Sequence, residues 1–388
     1  MLKKILSILL FLSLTAAFCS VSLADDMMPI GKGGFLIYVS YQDTLPDGRM
    51  IFCGSGGEDY DGQRAKLLCV NPDGTISWEY VDQNEQGYYE AVILEDGNIA
   101  VSMQKKVVLF TPEGKNTGKE IIQDRQDGST PQVLSRGVLK HYGEEDGYTE
   151  FVDWDGNTLF RTDGAFYATL VDDDGLVMAG QESDDGSKID DAMIMKIDWQ
   201  GKRLWKKILP SMTEERGEAT DISYLEGCLR TSDGGYLVVH KQSIKDYDYP
   251  DRNEYHEWRD YTELVKLSTD GEILWTKQPG KGQQFEYVVE YEGKYCVSYH
   301  SGLDLPGNIG FLWLDAEGNE LGTTIRSINR EDFPGQRYGS GMKKMQLEMI
   351  PSKDGLWQNL QLWNEDWTSK EGNTIWNTQQ LLLPVPVL

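Results

Sequence analysis

Short runs of alternating apolar and polar residues recur along this chain, and each run ends at a turn that contains glycine. In the first kind of unit, two apolar positions in alternation precede an acidic turn, and an apolar residue, often Trp, follows. A two-residue period predicts β-strands that turn one face towards a core. Clear copies occupy 68–78, 195–205 and 265–275, and weaker ones centre on Gly114, Gly156 and Gly318.

A second kind of unit precedes each of these, and it consists of a turn followed by a run of β-forming residues. Asp-Gly and Glu-Gly pairs supply the positive φ that tight hairpin turns need. Together the two units predict a pair of hairpins, and therefore a four-stranded sheet, in every repeat. The turns of the second unit are Asp47-Gly48, Asp96-Gly97, Arg136-Gly137, Asp174-Gly175, Gly234-Gly235, Glu292-Gly293 and Asp354-Gly355.

Repeated four-stranded sheets predict a ring. One such sheet cannot bury both faces, whereas a closed ring of them can, and closure protects the sheet edges. A repeat of about 40–50 residues is typical of β-propeller blades. Seven units of the second kind predict an all-β propeller with seven four-stranded blades; six or eight blades stay open.

The Trp at the fourth position after a turn glycine is predicted to pack between blades. It occurs as Trp78, Trp205 and Trp275. The corresponding places in the second, third and sixth repeats hold Gly118, Phe160 and Gly322, which leaves the blade boundaries there in question.

Two segments resemble the repeats of a known class of propeller. Residues 233–239 and 264–275 are similar to the repeats of secreted bacterial β-propellers of the PQQ-like and WD40-like type, in which a Lys-Leu-Asp-like strand precedes a turn glycine and then Trp. The resemblance covers most of the chain and implies the fold. Because such propellers serve as assembly factors, binding proteins and enzymes, it implies no particular function.

The N-terminus has the features of an export signal. Lys3 and Lys4 precede an apolar stretch at 5–18, and Ser22-Leu23-Ala24 places small residues before a cleavage point. This predicts a signal peptide at 1–24 and a single propeller domain at 25–388, secreted or in the periplasm or cell envelope. A lipoprotein signal would need a small residue immediately before Cys19, where this chain has Phe18. The other alternative to a cleaved signal peptide is an uncleaved N-terminal anchor. No later run is long enough to span a membrane, so no membrane insertion is expected after signal removal.

The charge and composition of the chain limit the classes of partner that it can bind. The 388 residues carry 37 Lys and Arg against 63 Asp and Glu, a net charge of -26. Nucleic acid and anionic membrane surfaces would be repelled, so neither is expected as the main partner. We expect a monomer. Four His and five Cys argue against a multi-metal protein or a disulfide framework.

The cysteines leave one alternative open. Cys53 and Cys69 fall in two neighbouring predicted strands, so they form either a cross-strand disulfide or two buried thiols. Cys228 and Cys296 are predicted to be buried thiols.

Candidate chemistry concentrates in inserts between the second and third strands of several blades. These inserts, at 55–64, 181–191, 243–260 and 364–373, are rich in carboxylates and aromatic residues and should project from one face of the ring. Carboxylates suit a cationic partner or Ca²⁺, and aromatic side chains suit a stacked glycan. Three histidines near the ends of second strands would stand on the same side, around the central opening. The candidate ligand-binding residues are His141, His240, His300, Tyr247, Tyr249, Trp258, Asp184 and Asp185.

No named catalytic motif occurs, so no catalytic residue is assigned. The leading hypothesis is a non-enzymatic binding module for a protein, peptide or glycan. The alternative is a glycan hydrolase or lyase, or a group transferase, with a His acting as acid or base near the central opening. A third hypothesis is an assembly module whose partner docks on the blade sides. No cofactor is predicted, and Ca²⁺ stays open.

Overall fold

The chain folds into a ring of four-stranded antiparallel sheets, which confirms the all-β propeller and its seven blades. The inner strands of successive blades contact one another, and the last blade contacts the first. The computed structural model contains no helix among its described residues, so none there could span a membrane. It describes residues 28–29, 36–56, 64–85, 87–103, 106–122, 131–142, 148–163, 167–182, 189–210, 212, 221–245, 258–280, 283–300, 307–328, 342–352, 355–364 and 377–388.

Each blade runs from an inner strand at the central channel to an outer strand at the rim. Blades 1 to 3 comprise β2 (Leu36–Thr44), β3 (Met50–Gly56), β4 (Arg64–Val70) and β5 (Ile76–Asp82); β6 (Ala91–Ile93), β7 (Ile99–Ser102), β8 (Lys106–Phe110) and β9 (Asn116–Ile122); and β10 (Gln132–Leu134), β11 (Gly137–Tyr142), β12 (Tyr148–Asp153) and β13 (Thr158–Asp163).

Blades 4 to 6 repeat this plan with longer strands. They comprise β14 (Tyr167–Asp172), β15 (Gly175–Glu182), β16 (Ile189–Asp198) and β17 (Arg203–Ile208); β18 (Asp221–Arg230), β19 (Tyr236–Lys245), β20 (Trp258–Leu267) and β21 (Ile273–Lys277); and β22 (Gln284–Tyr291), β23 (Lys294–His300), β24 (Gly307–Leu314) and β25 (Glu320–Ile328).

Blade 7 closes the ring with strands from both ends of the chain. Its inner three strands are β26 (Met342–Ser352), β27 (Gly355–Asn364) and β28 (Asn377–Pro384). Its outer strand is β1 (Met28–Pro29), which pairs antiparallel with Leu381 and Leu382 of β28. Proline is tolerated there because an outermost strand leaves one edge unpaired.

This strand order gives the ring two distinct faces. The tight turns between the first and second strands, and between the third and outer strands, lie on one face, which we call the turn face. The connections between the second and third strands, and between blades, lie on the opposite face, which we call the loop face. Blades 4 and 5 are joined at the loop face, where Ile189 and Asp190 pair in parallel with Asp221 and Ile222.

The recurring Trp packs between blades, as the spacing predicted. A Cβ atom added to Gly114 would lie 2.6 Å from the Trp78 ring, and one added to Gly271 would lie 2.6 Å from the Trp205 ring. Each indole N–H also donates to a backbone carbonyl of the next blade's turn. These bonds run from Trp78 to Pro112 (2.9 Å), from Trp205 to Thr269 (2.9 Å) and from Trp275 to Ala316 (3.3 Å).

Other residues fill the boundaries that lack this Trp. Where blade 2 carries Gly118, Trp154 from the turn of blade 3 packs at the boundary and donates to the Ser135 carbonyl (3.0 Å). Blade 3 carries Phe160, which joins a cluster that contains Trp199 of blade 4. In blade 6 the C-terminal Leu388 lies against Gly322. The question over these boundaries is therefore answered: all three are genuine.

The cysteines of the described strands are free thiols. Cys53 lies opposite Leu67 and Cys69 lies opposite Ile51, so the two are offset diagonally across the hairpin. The buried-thiol alternative is confirmed for both. Cys296 is buried as predicted, whereas Cys228 is only half-buried.

Candidate functional site

The inserts join the second and third strands of their blades, which confirms that they begin and end on one face. They connect β3 to β4, β15 to β16, β19 to β20 and β27 to β28. The candidates Asp184, Asp185, Tyr247 and Tyr249 lie outside the described residues. Blades 7 and 1 are neighbours, as are blades 4 and 5, so the inserts form two adjacent pairs around the ring.

The hairpin that carries the longest insert has the longest pairing between a second and a third strand. Pairing between β19 and β20 continues to Lys245 and Trp258, the latter being a candidate binding residue at the base of the insert. The Ser243 hydroxyl donates to Asp260 at 2.6 Å, and Lys241 lies 3.9 Å from the same carboxylate. These contacts hold together the two ends of the insert at 243–260.

His240 lies inside blade 5, away from the strand end, because β19 runs on to Lys245. Its Nε2 is 2.6 Å from the Ser223 hydroxyl, and its Nδ1 is 3.1 Å from a carboxylate oxygen of Glu263. The three residues come from the inner, second and third strands and share one sheet face, since His240 lies opposite both Leu225 and Glu263. The order Ser–His–Glu matches the hydrogen-bonding pattern of an acyl-transfer triad.

This triad is buried and has almost no exposure to solvent. The exposed fractions are 2% for Ser223, 0% for His240 and 6% for Glu263. Buried polar groups are costly unless they are hydrogen-bonded, and here each group has a partner. With both ring nitrogens occupied, His240 links the inner, second and third strands of blade 5. Sequence reasoning singled out His240 but missed Ser223 and Glu263, because the three are 17 and 23 positions apart and form no local motif.

His300 has a different partner in the next blade. It is the last residue of β23, as predicted, and its Nε2 lies 2.6 Å from Glu286 on the inner strand β22. Both side chains are mostly buried. His141 lies near the end of β11, opposite Thr149. His240 and His300 are therefore each paired within their own blade.

Polar side chains on the inner strands, or directly before them, connect neighbouring blades. Gln42 accepts a hydrogen bond from the Ala91 amide (2.9 Å), so blade 1 is linked to blade 2. Glu90 accepts one from the Val133 amide (3.3 Å), so blade 2 is linked to blade 3. Burial raises the pKa of Glu90 to about 7 and also raises the pKa of Glu348 on the inner strand of blade 7. Sequence reasoning missed these residues, because their role depends on the next blade rather than on nearby residues.

On the turn face, a cavity of about 590 Å³ lies between blades 4 and 5. Asp172 is buried there and accepts hydrogen bonds from Lys196 (2.8 Å) and Tyr236 (2.5 Å). Burial alone would lower the pKa of Lys196, but its bonds to Asp172 and Asp174 outweigh burial and raise it. Arg230 also pairs with Asp172. The cations are thus already neutralised by the chain's own carboxylates.

The described residues contain no group of three or more His, Cys, Asp or Glu side chains arranged to hold a metal ion. The carboxylates suggested for Ca²⁺ lie mainly in the inserts, beyond this part of the chain. Ca²⁺ binding there stays a prediction.

Comparisons with known proteins identify the fold and go no further. No protein-family model matches this chain, and no curated protein is significantly similar in sequence. Among solved structures, the Neurospora crassa Pan2 WD40 domain is similar over 94% of this chain and 97% of that domain, with a TM-score of 0.51 at 8% identity. BamB from Moraxella catarrhalis matches over 92% of this chain and 97% of its own, with a TM-score of 0.41 at 12% identity.

A third solved structure is similar to a smaller share of the chain. A quinonprotein alcohol dehydrogenase-like protein from Bacteroides thetaiotaomicron matches over 76% of this chain and 68% of its own, with a TM-score of 0.43 at 12% identity. The match to the WD40 domain agrees with the propeller fold that the resemblance implied. At such identities it transfers no activity and no ligand.

Proposed function

We propose that this protein is an exported binding propeller whose loop face takes a positively charged segment of a protein or peptide. The observation that carries the proposal is the placement of the inserts. Four acidic and aromatic segments, far apart in sequence, each join the second and third strands of a blade and so converge on one face. Loops held by a rigid scaffold commonly carry binding function.

Charge favours a cationic ligand. The inserts at 55–64 and 181–191 together contain eight carboxylates, Glu58, Asp59, Asp61, Glu182, Asp184, Asp185, Asp190 and Asp191, on a chain of net charge -26. A face of one sign attracts ligands of the other sign and speeds their association. Tyr247, Tyr249 and Trp258 add aromatic surface that can stack on Lys or Arg side chains. A glycan stacked on the same aromatic residues is the alternative ligand.

A direct test uses a fluorescein-labelled oligolysine peptide, with a neutral cello-oligosaccharide as the glycan probe. We expect the peptide to bind and Asp184→Asn/Asp185→Asn to weaken binding by roughly tenfold, since like charges act together at one face. Tyr247→Ala/Tyr249→Ala and Trp258→Ala should weaken it as well. The matched control removes two exposed charges from the turn face with Asp155→Asn and Asp270→Asn.

The outcomes separate the alternatives. Binding of the peptide that is lost in the loop-face variants and kept in the turn-face variant supports the proposal. Equal loss of peptide binding in the loop-face and turn-face variants would show that binding depends only on the net charge of the protein. Binding of the oligosaccharide alone, with the same dependence on the aromatic residues, would replace the peptide with a glycan.

A second candidate function rests on the Ser223–His240–Glu263 geometry, which is that of a serine hydrolase. The burial of Ser223 and His240 favours the binding role, because an acyl donor needs access to the hydroxyl. Labelling with a fluorophosphonate probe distinguishes the two. Labelling that Ser223→Ala abolishes would establish a nucleophile. A protein that stays unlabelled while folded, and is destabilised by His240→Gln, has a structural triad.

Export is part of the proposal. The sequence at 1–24 supports cleavage after Ala24, which leaves a few residues before β1 closes the ring. Sequencing the N-terminus of the protein recovered from the cell envelope or medium should give Asp25. An intact Met1 in that fraction would contradict cleavage.

A further inference from the structure

Residues 385–388 follow the last strand of blade 7 and lie against the outer strand of blade 6, and we call them the tail. Side chains of blade 6 donate to backbone carbonyls of the tail at alternate residues, Thr324 to Pro386 (2.9 Å) and Lys294 to Leu388 (3.3 Å). Contacts at every second residue are those of an extended chain. The tail groove is the blade 6 surface beneath the tail, and it comprises Gly322, Thr324 and Lys294.

The first and last side chains of the tail anchor it. Val385 is 5% exposed and belongs to the cluster between blades 6 and 7, whereas Val387 is 45% exposed. Leu388 lies on Gly322, where no side chain competes for the space. The tail groove therefore selects an apolar residue at the first and fourth positions, and it hydrogen-bonds the carbonyls of the second and fourth.

Proline at the second position suits this mode of binding. Pro386 has no N–H, so it leaves no backbone donor unpaired in the groove, and its fixed φ keeps the segment extended. A segment that is extended before it binds loses less conformational entropy on binding. For this reason, proline-containing segments are common ligands of grooves on other folds.

Only the first residue of the tail is deeply held. The Val385 amide donates to the Leu356 carbonyl (2.8 Å), and the side chain packs in the core. Beyond it, Val387 and Leu388 are each about half-exposed. Segments with few buried apolar contacts open locally at a small free-energy cost, so the tail groove can be uncovered while the blades stay folded.

We propose that the tail groove is a docking site for a partner polypeptide, and that the tail is its built-in competitor. The partner supplies an extended, uncharged segment with an apolar residue, a proline, any residue and then a leucine. This segment makes the contacts that the tail makes in its absence. The tail groove shares no residue with the inserts, so this inference is independent of the proposed loop-face ligand.

The test uses the full chain and a labelled copy of the tail, fluorescein-Gly-Gly-Val-Pro-Val-Leu-amide. Val385→Asp weakens the competing tail, since it places a charge in the core, whereas Val387→Asp changes an exposed residue of the same segment. We expect saturable binding to the Val385→Asp chain, and binding at least about tenfold weaker to the parent and to Val387→Asp, because a tethered competitor acts at an effective concentration of roughly millimolar. A matched peptide with Asp in place of its first Val should not bind.

Trp313 reports whether the peptide binds in the tail groove. Its indole N–H donates to the Thr324 hydroxyl (3.3 Å), which in turn donates to Pro386. In ¹⁵N-labelled Val385→Asp protein, the Trp313 indole signal, assigned with Trp313→Phe, should shift on addition of unlabelled peptide. The Trp205 indole signal, at the boundary between blades 4 and 5, should not shift.

Two further variants test the groove wall in the Val385→Asp background. Thr324→Val removes the donor and should weaken peptide binding about fivefold, the effect of one hydrogen bond of about 1 kcal/mol. Thr323→Val, an exposed change on the opposite face of the same strand, should leave binding unchanged.

The outcomes decide the proposal. If Val385→Asp unfolds the protein, Leu388→Gly weakens the tail in its place at a half-exposed position. A folded variant that binds no peptide saturably, or equal binding to the parent and to both tail variants, would overturn the proposal. A parent chain that dimerises by exchanging tails would assign the tail groove to a second copy and overturn the role of a partner.

Discussion

At the scale of single residues, the turn glycines are fixed by two separate demands. Gly271 and Gly118 both have positive φ, 79° and 77°, which costs most other residues about 1 kcal/mol or more. Only Gly271 also faces an indole, since its added Cβ atom would lie 2.6 Å from Trp205, whereas Gly118 has open space within 4 Å. Backbone strain and steric fit can therefore be measured apart.

We expect Gly271→Ala to destabilise the fold by roughly 2 kcal/mol more than Gly118→Ala, because only the first substitution displaces a packed ring. Chemical denaturation of the two variants measures the difference. In a Trp205→Ala background, the excess cost of Gly271→Ala should disappear. An excess that persists without the indole would mean that the turn, rather than the ring contact, excludes a side chain.

Glu90 predicts a dependence of stability on pH. Burial raises its pKa from 4.5 to about 7 in the folded protein. The folded state therefore binds the proton more tightly than the unfolded state, and stability falls as the pH rises through this interval. Glu90→Gln removes the penalty and keeps an oxygen that can accept from the Val133 amide.

The variant should thus be more stable than the parent at about pH 8, by up to roughly 3 kcal/mol, and nearly equal at about pH 4.5. Urea denaturation at both pH values measures this. Glu95→Gln, an exposed change on the next turn, is the control and should show no such trend. A Glu90→Gln effect of the same size at both pH values would contradict the assigned cause.

At the scale of secondary structure elements, the C-terminal tail completes blade 6. Leu388 lies against Gly322, where three other blades carry Trp. The Thr324 hydroxyl donates to the Pro386 carbonyl (2.9 Å), and Val385 is buried between blades 6 and 7. The tail therefore replaces a side chain that this blade lacks.

This replacement predicts that the effect of Gly322→Trp on stability changes sign when the tail is removed. Gly322→Trp should destabilise the full chain, because a Cβ atom there would lie 2.9 Å from Leu388 and overpacking costs about 1–3 kcal/mol. In a chain that ends at Val385, the same substitution should be stabilising, since the indole can fill the vacated space. Thermal melts of the four combinations provide the measurement. A destabilising effect in both backgrounds would show that the tail and the indole do not share one site.

The elements that could be predicted from sequence are those set by local pattern. Turns such as Asp96-Gly97 and the strands around them follow from period-two alternation and the φ preference of glycine. The closing strand β1 could not be predicted, because Met28 and Pro29 pair with residues more than 350 positions away. Trp154, on the turn of blade 3, packs at the boundary where the outer strand of blade 2 carries Gly118 instead of Trp. This substitution could not be predicted either, because it depends on packing between two blades.

At the scale of the whole molecule, the ring and its blade number could be predicted, because the repeat itself carries that information. The candidate site was harder. That the inserts begin and end on one face follows from strand order and is confirmed. The partners of His240 and His300 come from strands distant in sequence, so neither Glu263 nor Glu286 could be assigned in advance.

The polar groups of the blades and those of the inserts have different roles. Among the described residues of blade 5, the polar side chains of the Ser223–His240–Glu263 triad hydrogen-bond to one another within the blade. The inserts above them hold the carboxylates and aromatic residues that the proposal uses. Binding is therefore expected to protect the inserts from solvent while the blades keep their hydrogen bonds.

Hydrogen exchange of the protein with and without bound oligolysine peptide tests this account most directly. The account predicts slower exchange in the inserts at 181–191 and 243–260, and in those at 55–64 and 364–373 if all four take part. It predicts unchanged exchange in the turns at 111–115 and 268–272. Protection confined to those turns or to the outer strands, with the inserts unaffected, would contradict it.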